Sequence, residues 1–102
     1  MSTPQSILQV VTEASLEKTV EELLSLHGWL VYHTHDSRRS NPGFPDIVAV
    51  RGETVLFLEL KTERGKLRKE QEAWGRALMV ARDVRYMVVR PRDLEWLVEE
   101  VR

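Results

Sequence analysis

The sequence has no cysteine, no long apolar run and almost no net charge. The absence of cysteine from all 102 residues excludes disulfides and thiolate zinc sites, and it is compatible with a reducing compartment. Apolar runs such as residues 55–58 are far too short to span a bilayer. The N-terminus lacks the basic start and the apolar segment of a signal peptide. We therefore expect a cytoplasmic protein.

The formal net charge of −1 gives no global positive field, so any contact with nucleic acid must depend on a local patch. Apolar residues make up 42% of the chain and charged residues 30%, which is typical of a globular domain. The length suits one domain with its own core. We expect a tail or docking segment over residues 1–11 and a single domain over residues 12–102.

Periodicity along the chain predicts an α/β fold. Apolar residues recur at helical spacing over residues 12–27, with Thr12 as the expected N-cap, and again over residues 67–81. A third helix is expected after Pro91. Strand-like segments cover residues 29–35, 46–51, 54–61 and 84–89, and the middle two are close enough for a hairpin. The order α-β-β-β-α-β-α implies a mixed central β-sheet flanked by helices.

Two acids and a lysine mark the ends of the two hairpin strands. Glu59 and Lys61 share one face where a strand with two apolar faces ends. Asp46 begins the preceding strand, so antiparallel pairing would make it a neighbour of Glu59. Two carboxylates in a low-dielectric site repel unless a cation intervenes, and Mg²⁺ suits a site with few carboxylates. Lys61 would then stabilise an attacking water or a developing phosphorane. The alternative for Glu59 and Lys61 is a salt bridge at a strand end.

Both predicted long helices carry polar residues of interest. Gln71 lies on the same stripe as Trp74 and Leu78, and a buried amide needs partners. It is either a satisfied core glutamine or a residue that reaches the carboxylates or a bound nucleotide. Glu13 and Glu17 share a face of the first helix. They form a solvated surface, or one of them completes a metal shell.

A local basic patch is expected beside these acids. Residues 61–69 contain five cations and Glu63 as the sole anion, and more cations precede Asp46. The candidate phosphate contacts are Ser37, Arg38, Arg39, Arg64, Lys66, Arg68 and Lys69. The alternative for such a run is a solvated face. No recognition helix is evident, so recognition of DNA shape or branching is favoured over recognition of sequence.

Histidine and tryptophan have ordinary interpretations beside functional ones. His33 and His35 alternate on the first predicted strand and therefore share a face. They are surface or packed residues, or else a base or ligand near the site. Trp29, Trp74 and Trp96 are expected to be core or interface anchors.

The segments "SRRSNPGFPDIV", "LELKTERGKL" and "EQEAW" together resemble the stand-alone VRR-NUC (virus-type replication-repair nuclease) domains of phage and bacterial type, in the PD-(D/E)xK nuclease superfamily. The resemblance runs from about Glu13 to Pro91. It implies a restriction-endonuclease-like fold and Mg²⁺- or Mn²⁺-dependent phosphodiester cleavage. It also implies the following roles: metal ligands Asp46 and Glu59, catalytic Lys61, the helical Gln71, and a first-helix acid at Glu13 with Glu17 as the alternate.

The resulting expectation is a DNA endonuclease of repair type. A small domain covers little of a duplex, so we expect a homodimer that acts on branched DNA such as a Holliday junction. The N-terminal segment and the C-terminal helix are the candidate contact surfaces. Two alternatives stay open: a non-catalytic nucleic-acid-binding or assembly module on the same fold, and a restriction-type endonuclease that reads a short sequence.

Overall fold

The computed structural model describes residues 3–35 and 41–102. The helices are α1 (Gln5–Leu8), α2 (Glu13–Leu26), α3 (Lys69–Val80) and α4 (Leu94–Val101), with a 3-10 turn at Pro91–Asp93. The strands are β1 (Leu30–His33), β2 (Ile47–Arg51), β3 (Thr54–Leu60) and β4 (Arg85–Val89). The predicted order is confirmed, and α1 is an additional short helix within residues 1–11. Within the described ranges, no helix combines the length and apolar character needed to cross a membrane.

The four strands form one mixed sheet in the order β1-β2-β3-β4. The pairs β1–β2 and β2–β3 are antiparallel, and β3–β4 is parallel because α3 carries the chain back between them. Strand β3 is therefore central, as its two apolar faces predicted. Its carboxyl end holds Glu59, and the start of β2 lies beside that end.

One face of the sheet packs against α2 and α4. Leu16, Val20 and Leu24 recur every fourth residue of α2 and are completely buried. They join Leu97 and Val101 of α4 and the inward side chains of β2 and β3 in one core cluster. The Thr12 side chain caps α2 by accepting a hydrogen bond from the Ser15 backbone N–H at 3.1 Å. This cap holds the first turn of α2, and thus Glu13, in place.

The opposite face of the sheet packs against α3. The Phe44 ring contacts Phe57 of β3 and Trp74 of α3 edge-on, with ring centroids 6.0 and 5.1 Å away. Gly75 lies against the Tyr86 ring of β4, since a Cβ there would be 2.8 Å from the hydroxyl. Aromatic contacts thus fix α3, and with it Gln71, against the end of β3.

Two predicted elements are shorter in the structure by two residues at one end. The helix expected over residues 67–81 begins at Lys69, because the Gln71 side chain holds the Arg68 backbone N–H in a non-helical cap. Strand β1 is shorter than expected: Trp29 turns into the core, where its Nε1–H donates to the Val101 carbonyl at 2.8 Å. Trp96, expected to be a core or interface anchor, is 47% exposed, so only the interface role stays a prediction for it.

Candidate active site

The two predicted acids lie side by side. The β2–β3 register pairs Ile47 with Leu58, so Asp46, one residue earlier, falls beside Glu59, one residue later. Asp46 Oδ2 accepts a hydrogen bond from the Leu60 backbone N–H at 2.8 Å. The Glu59 side chain is almost fully buried, at 1% exposure. The structure therefore brings together the pair that the hairpin geometry predicted, while the catalytic role of the pair stays a prediction.

The electrostatics of this pair are unusual. Burial, followed by the charge and hydrogen bond of Asp46, raises the pKa of Glu59 from 4.5 to about 9, and Lys61 only partly opposes this shift. Without a cation, Glu59 thus keeps its proton at neutral pH. At neutral pH Glu59 ionises only if positive charge enters, and carboxylate oxygens are the ligands that Mg²⁺ and Mn²⁺ prefer. The donor set at this edge of the sheet fits such an ion.

Lys61 and Glu13 complete the acidic and basic lining of the site. The Lys61 backbone N–H donates to the Val89 carbonyl at 3.1 Å, which continues the β3–β4 pairing and fixes the direction of the side chain. Lys61 Nζ lies 4.0 Å from Oε1 of Glu13. Glu13 lines the cleft, whereas Glu17, one turn later on α2, contacts His33 instead. Of the two candidate helix acids, Glu13 is the one on the cleft wall.

Gln71 is a buried amide, 7% exposed, with both ends in use. Its Nε2 donates to Oε1 of Glu59 at 2.9 Å, and its Oε1 accepts from the Arg68 backbone N–H at 2.8 Å. Because the amide oxygen is taken by a backbone donor, the NH₂ end must face the carboxylate. Gln71 thus orients Glu59 and caps α3 with the same side chain.

Gly43 lets the loop before Asp46 approach the start of α3. Its φ of +90° favours glycine, and a Cβ at this position would lie 2.4 Å from the carbonyl carbon of Glu70. The same Cβ would be 2.8 Å from the backbone nitrogen of Gln71. The "GFPD" motif thus brings Asp46 and the Gln71 helix together at the same cleft.

These residues surround an open cleft of about 320 Å³. The predicted residues on its wall are Glu13, Asp46, Glu59, Lys61, Arg68 and Gln71. Thr34, His35 and Asn41 also line the cleft, and of these three the sequence indicates only His35, as a base or ligand. Thr34 Oγ1 donates to the Pro45 carbonyl, and the Thr34 N–H donates to the Asp46 carbonyl, both at 2.8 Å. Only the β1–β2 pairing reveals that Thr34 supports Asp46.

The basic residues are divided between the cleft and its surroundings. Arg68 lines the cleft, and the neighbouring cations Arg64, Lys66 and Lys69 are exposed. Glu63, the anion of this segment, points inward and pairs with Arg92 at 3.1 Å, so it does not neutralise the exposed cations. The three candidate contacts in the preceding loop lie outside the described residues: Ser37, Arg38 and Arg39.

The chain matches the profile of the VRR-NUC domain family over residues 2–93, and the protein therefore belongs to that family. The resemblance found in the sequence is confirmed, and the domain is of a nuclease family.

A solved structure described as a VRR_NUC domain has a similar fold. It superposes with a TM-score of 0.69 at 24% sequence identity, over 88% of this chain and 97% of the other. At this identity the likeness concerns the fold, and it confirms the predicted α/β architecture. No curated protein sequence matches the chain.

Proposed function

We propose that this protein is a divalent-metal-dependent deoxyribonuclease that hydrolyses phosphodiester bonds. The observation that carries the proposal is the position of Glu59: its buried carboxylate faces a second acid, Asp46, at a cleft that also holds Lys61 and Gln71. A salt bridge between Glu59 and Lys61 does not account for this arrangement. The charge of Lys61 lowers the pKa of Glu59 by less than burial and Asp46 together raise it.

Each residue of the cleft has a distinct role in the proposal. Asp46 and Glu59 would hold the ion, with Glu13 as a further candidate ligand. When bound, Mg²⁺ or Mn²⁺ supplies Lewis acidity that activates water and offsets the charge on the scissile phosphate. The Lys61 ammonium orients the attacking water or stabilises the phosphorane. Gln71 keeps the Glu59 carboxylate in position through its Nε2–H donor.

The exposed cations beside the cleft would bind the DNA backbone. Arg68 lies on the cleft wall and would contact a phosphate next to the scissile one, and the exposed Arg64, Lys66 and Lys69 would extend the positive surface. Arginine grips phosphate in a bidentate manner and lysine adds point charge. Such contacts position the protein without reading bases, which favours a substrate chosen by shape.

Branched DNA is the substrate class that we favour, with the protein acting as a homodimer. Cleavage of two strands at a branch requires two sites, and a symmetric dimer supplies them. Both predicted contact surfaces expose apolar side chains: Ile7 and Val10 in the N-terminal segment, and Trp96 and Val98 on α4. Light scattering at micromolar concentration should show a dimer, and a monomer would exclude this part of the proposal.

A cleavage panel tests the proposal. Branched, flapped and linear DNAs are incubated with the protein in Mg²⁺, in Mn²⁺ and in EDTA. We expect cleavage with either metal, none in EDTA, and a preference for branched substrates. Asp46→Asn should abolish cleavage while DNA affinity and the far-UV CD spectrum are retained.

The alternatives give different outcomes in the same panel. DNA binding without cleavage in either metal would favour a non-catalytic module. Cutting of linear duplex at one short sequence would identify a restriction-type enzyme. Metal-dependent nicking by a clean Asp46→Asn preparation would remove Asp46 from the assignment.

A further inference from the structure

A second group of metal-ligating side chains lies on the α2 side of the sheet. Glu17 and Glu21 are one helical turn apart on α2, and His33 is the last residue of β1. One donor atom from each of the three lies within 4.8 Å of the others, and all three side chains are half-buried. None of the three lines the cleft of the candidate active site.

Both ring nitrogens of His33 face carboxylate oxygens. Nε2 lies 2.5 Å from Glu17 Oε1, and Nδ1 lies 3.5 Å from Glu21 Oε1. A neutral imidazole has one N–H, so its other nitrogen would direct a lone pair at an anionic oxygen. Either a second proton or a metal ion removes this repulsion.

The arrangement resembles the environment of histidines that bind metals. Such histidines bind the ion through one nitrogen and donate the other N–H to a carboxylate, which fixes the ring orientation. Here the two carboxylates come from a rigid helix at a spacing of four residues, and the imidazole comes from the adjacent strand. Two elements thus converge on one position with nitrogen and oxygen donors.

We propose that His33 Nδ1 and Glu21 bind a divalent transition-metal ion of the Zn²⁺ type, while Glu17 accepts the Nε2–H of His33 and holds the ring in place. An imidazole donor suits Zn²⁺, whereas Mg²⁺ prefers oxygen ligands and retains its waters. This site therefore differs in chemistry from the carboxylate pair Asp46 and Glu59. It does not depend on the proposed nuclease activity.

The ion would join α2 to β1. Strand β1 is one of the two edge strands of the described sheet, and α2 carries Glu13 at its first turn. A metal ion that binds only the folded chain raises the free energy of unfolding, and the increase grows with the logarithm of the ratio of free metal concentration to Kd. The expected consequence is a rise in Tm of several degrees with Zn²⁺.

Calorimetric titration with Zn²⁺ alone tests the site in the full chain carrying Glu13→Gln, Asp46→Asn and Glu59→Gln, which removes the three acids of the cleft. We expect this chain to bind Zn²⁺ and to gain thermal stability. Adding His33→Gln should weaken binding by about 10- to 100-fold and remove the gain in Tm. Adding His27→Gln, at the C-cap of α2, is the matched control and should change neither the Zn²⁺ affinity nor the gain in Tm.

Two results would overturn the proposal: equal Zn²⁺ affinity with and without His33, or no Zn²⁺ binding to the parent chain, which would leave His33 as an imidazolium between two carboxylates. If His33→Gln does not fold, ¹⁵N NMR of the parent decides, since Zn²⁺ must shift the His33 ring nitrogens. Cleavage is not measured, so failure here leaves the proposed function standing, and the reverse also holds.

Discussion

Glu59 and Glu63 are four residues apart and both almost fully buried, yet their surroundings are opposite. Glu63 pairs with Arg92 Nε at 3.1 Å and accepts hydrogen bonds from the Arg92 backbone N–H and from Gln5 Nε2, both at 3.2 Å. Glu59 faces Asp46, and its pKa rises to about 9 as a consequence of burial and of that acid. A buried carboxylate with its own cation holds segments together, whereas one that faces a second acid creates a site for an external cation.

The largest expected effect comes from removing the charge of Glu59. Glu59→Gln keeps the shape of the side chain but removes a proposed metal ligand, so cleavage should fall by at least about 10³-fold. Nicking of a supercoiled plasmid in Mg²⁺ measures this loss. The CD spectrum should not change, and cleavage within a few-fold of wild type would contradict the assignment.

Each of the two buried glutamates accepts a hydrogen bond from a glutamine, Glu59 from Gln71 and Glu63 from Gln5, and replacing these glutamines tests the difference between the two sites. Gln71→Leu removes the donor that orients Glu59, and cleavage should fall by about 10- to 100-fold. Gln5→Leu removes the amide partner of Glu63 and serves as the matched control, because Gln5 lies outside the cleft. Equal losses of cleavage in the two variants would show that Gln71 has no specific role.

Glu63→Gln should affect stability instead of chemistry. Loss of the Arg92 ion pair should lower the free energy of unfolding by about 1–2 kcal/mol, since Arg92 is itself exposed to solvent. Urea denaturation measures the change, and plasmid nicking should remain close to wild type. A loss of cleavage without a loss of stability would show that Glu63 contributes to catalysis and not only to the fold.

The smallest effect is a pH dependence of the metal-free protein. Because the pKa of Glu59 is raised from 4.5 to about 9, the folded state keeps a proton that the unfolded state releases. This contribution to stability is complete below pH 4.5 and is lost progressively as pH rises towards about 9. Urea denaturation in EDTA across this range should show the decline. Glu59→Gln should reduce it, and identical pH profiles would contradict the electrostatic account.

Much of the fold could be predicted because each element has a strong local pattern. Leu16, Val20 and Leu24 show the helical period of α2, and the short Gly52-Glu53 connection predicts the β2–β3 hairpin. That hairpin also brings Asp46 and Glu59 together, since antiparallel register follows from a tight turn. The start of α3 was predicted two residues too early, because the Arg68 cap depends on a side chain that also reaches across to β3.

The amino-acid sequence by itself determined the family, the strand that carries Glu59 and Lys61, and the identity of the charged residues near them. Periodicity, turn residues and motifs are local features of the sequence, so they can be recognised without knowing which residues lie nearby in the fold. Only the tertiary structure decided which charges are paired. In the fold, Glu63 pairs with Arg92 and His33 with Glu17, while the Gln71 amide donates to Glu59. These contacts join residues that are distant in sequence, so they depend on how the helices pack across the sheet.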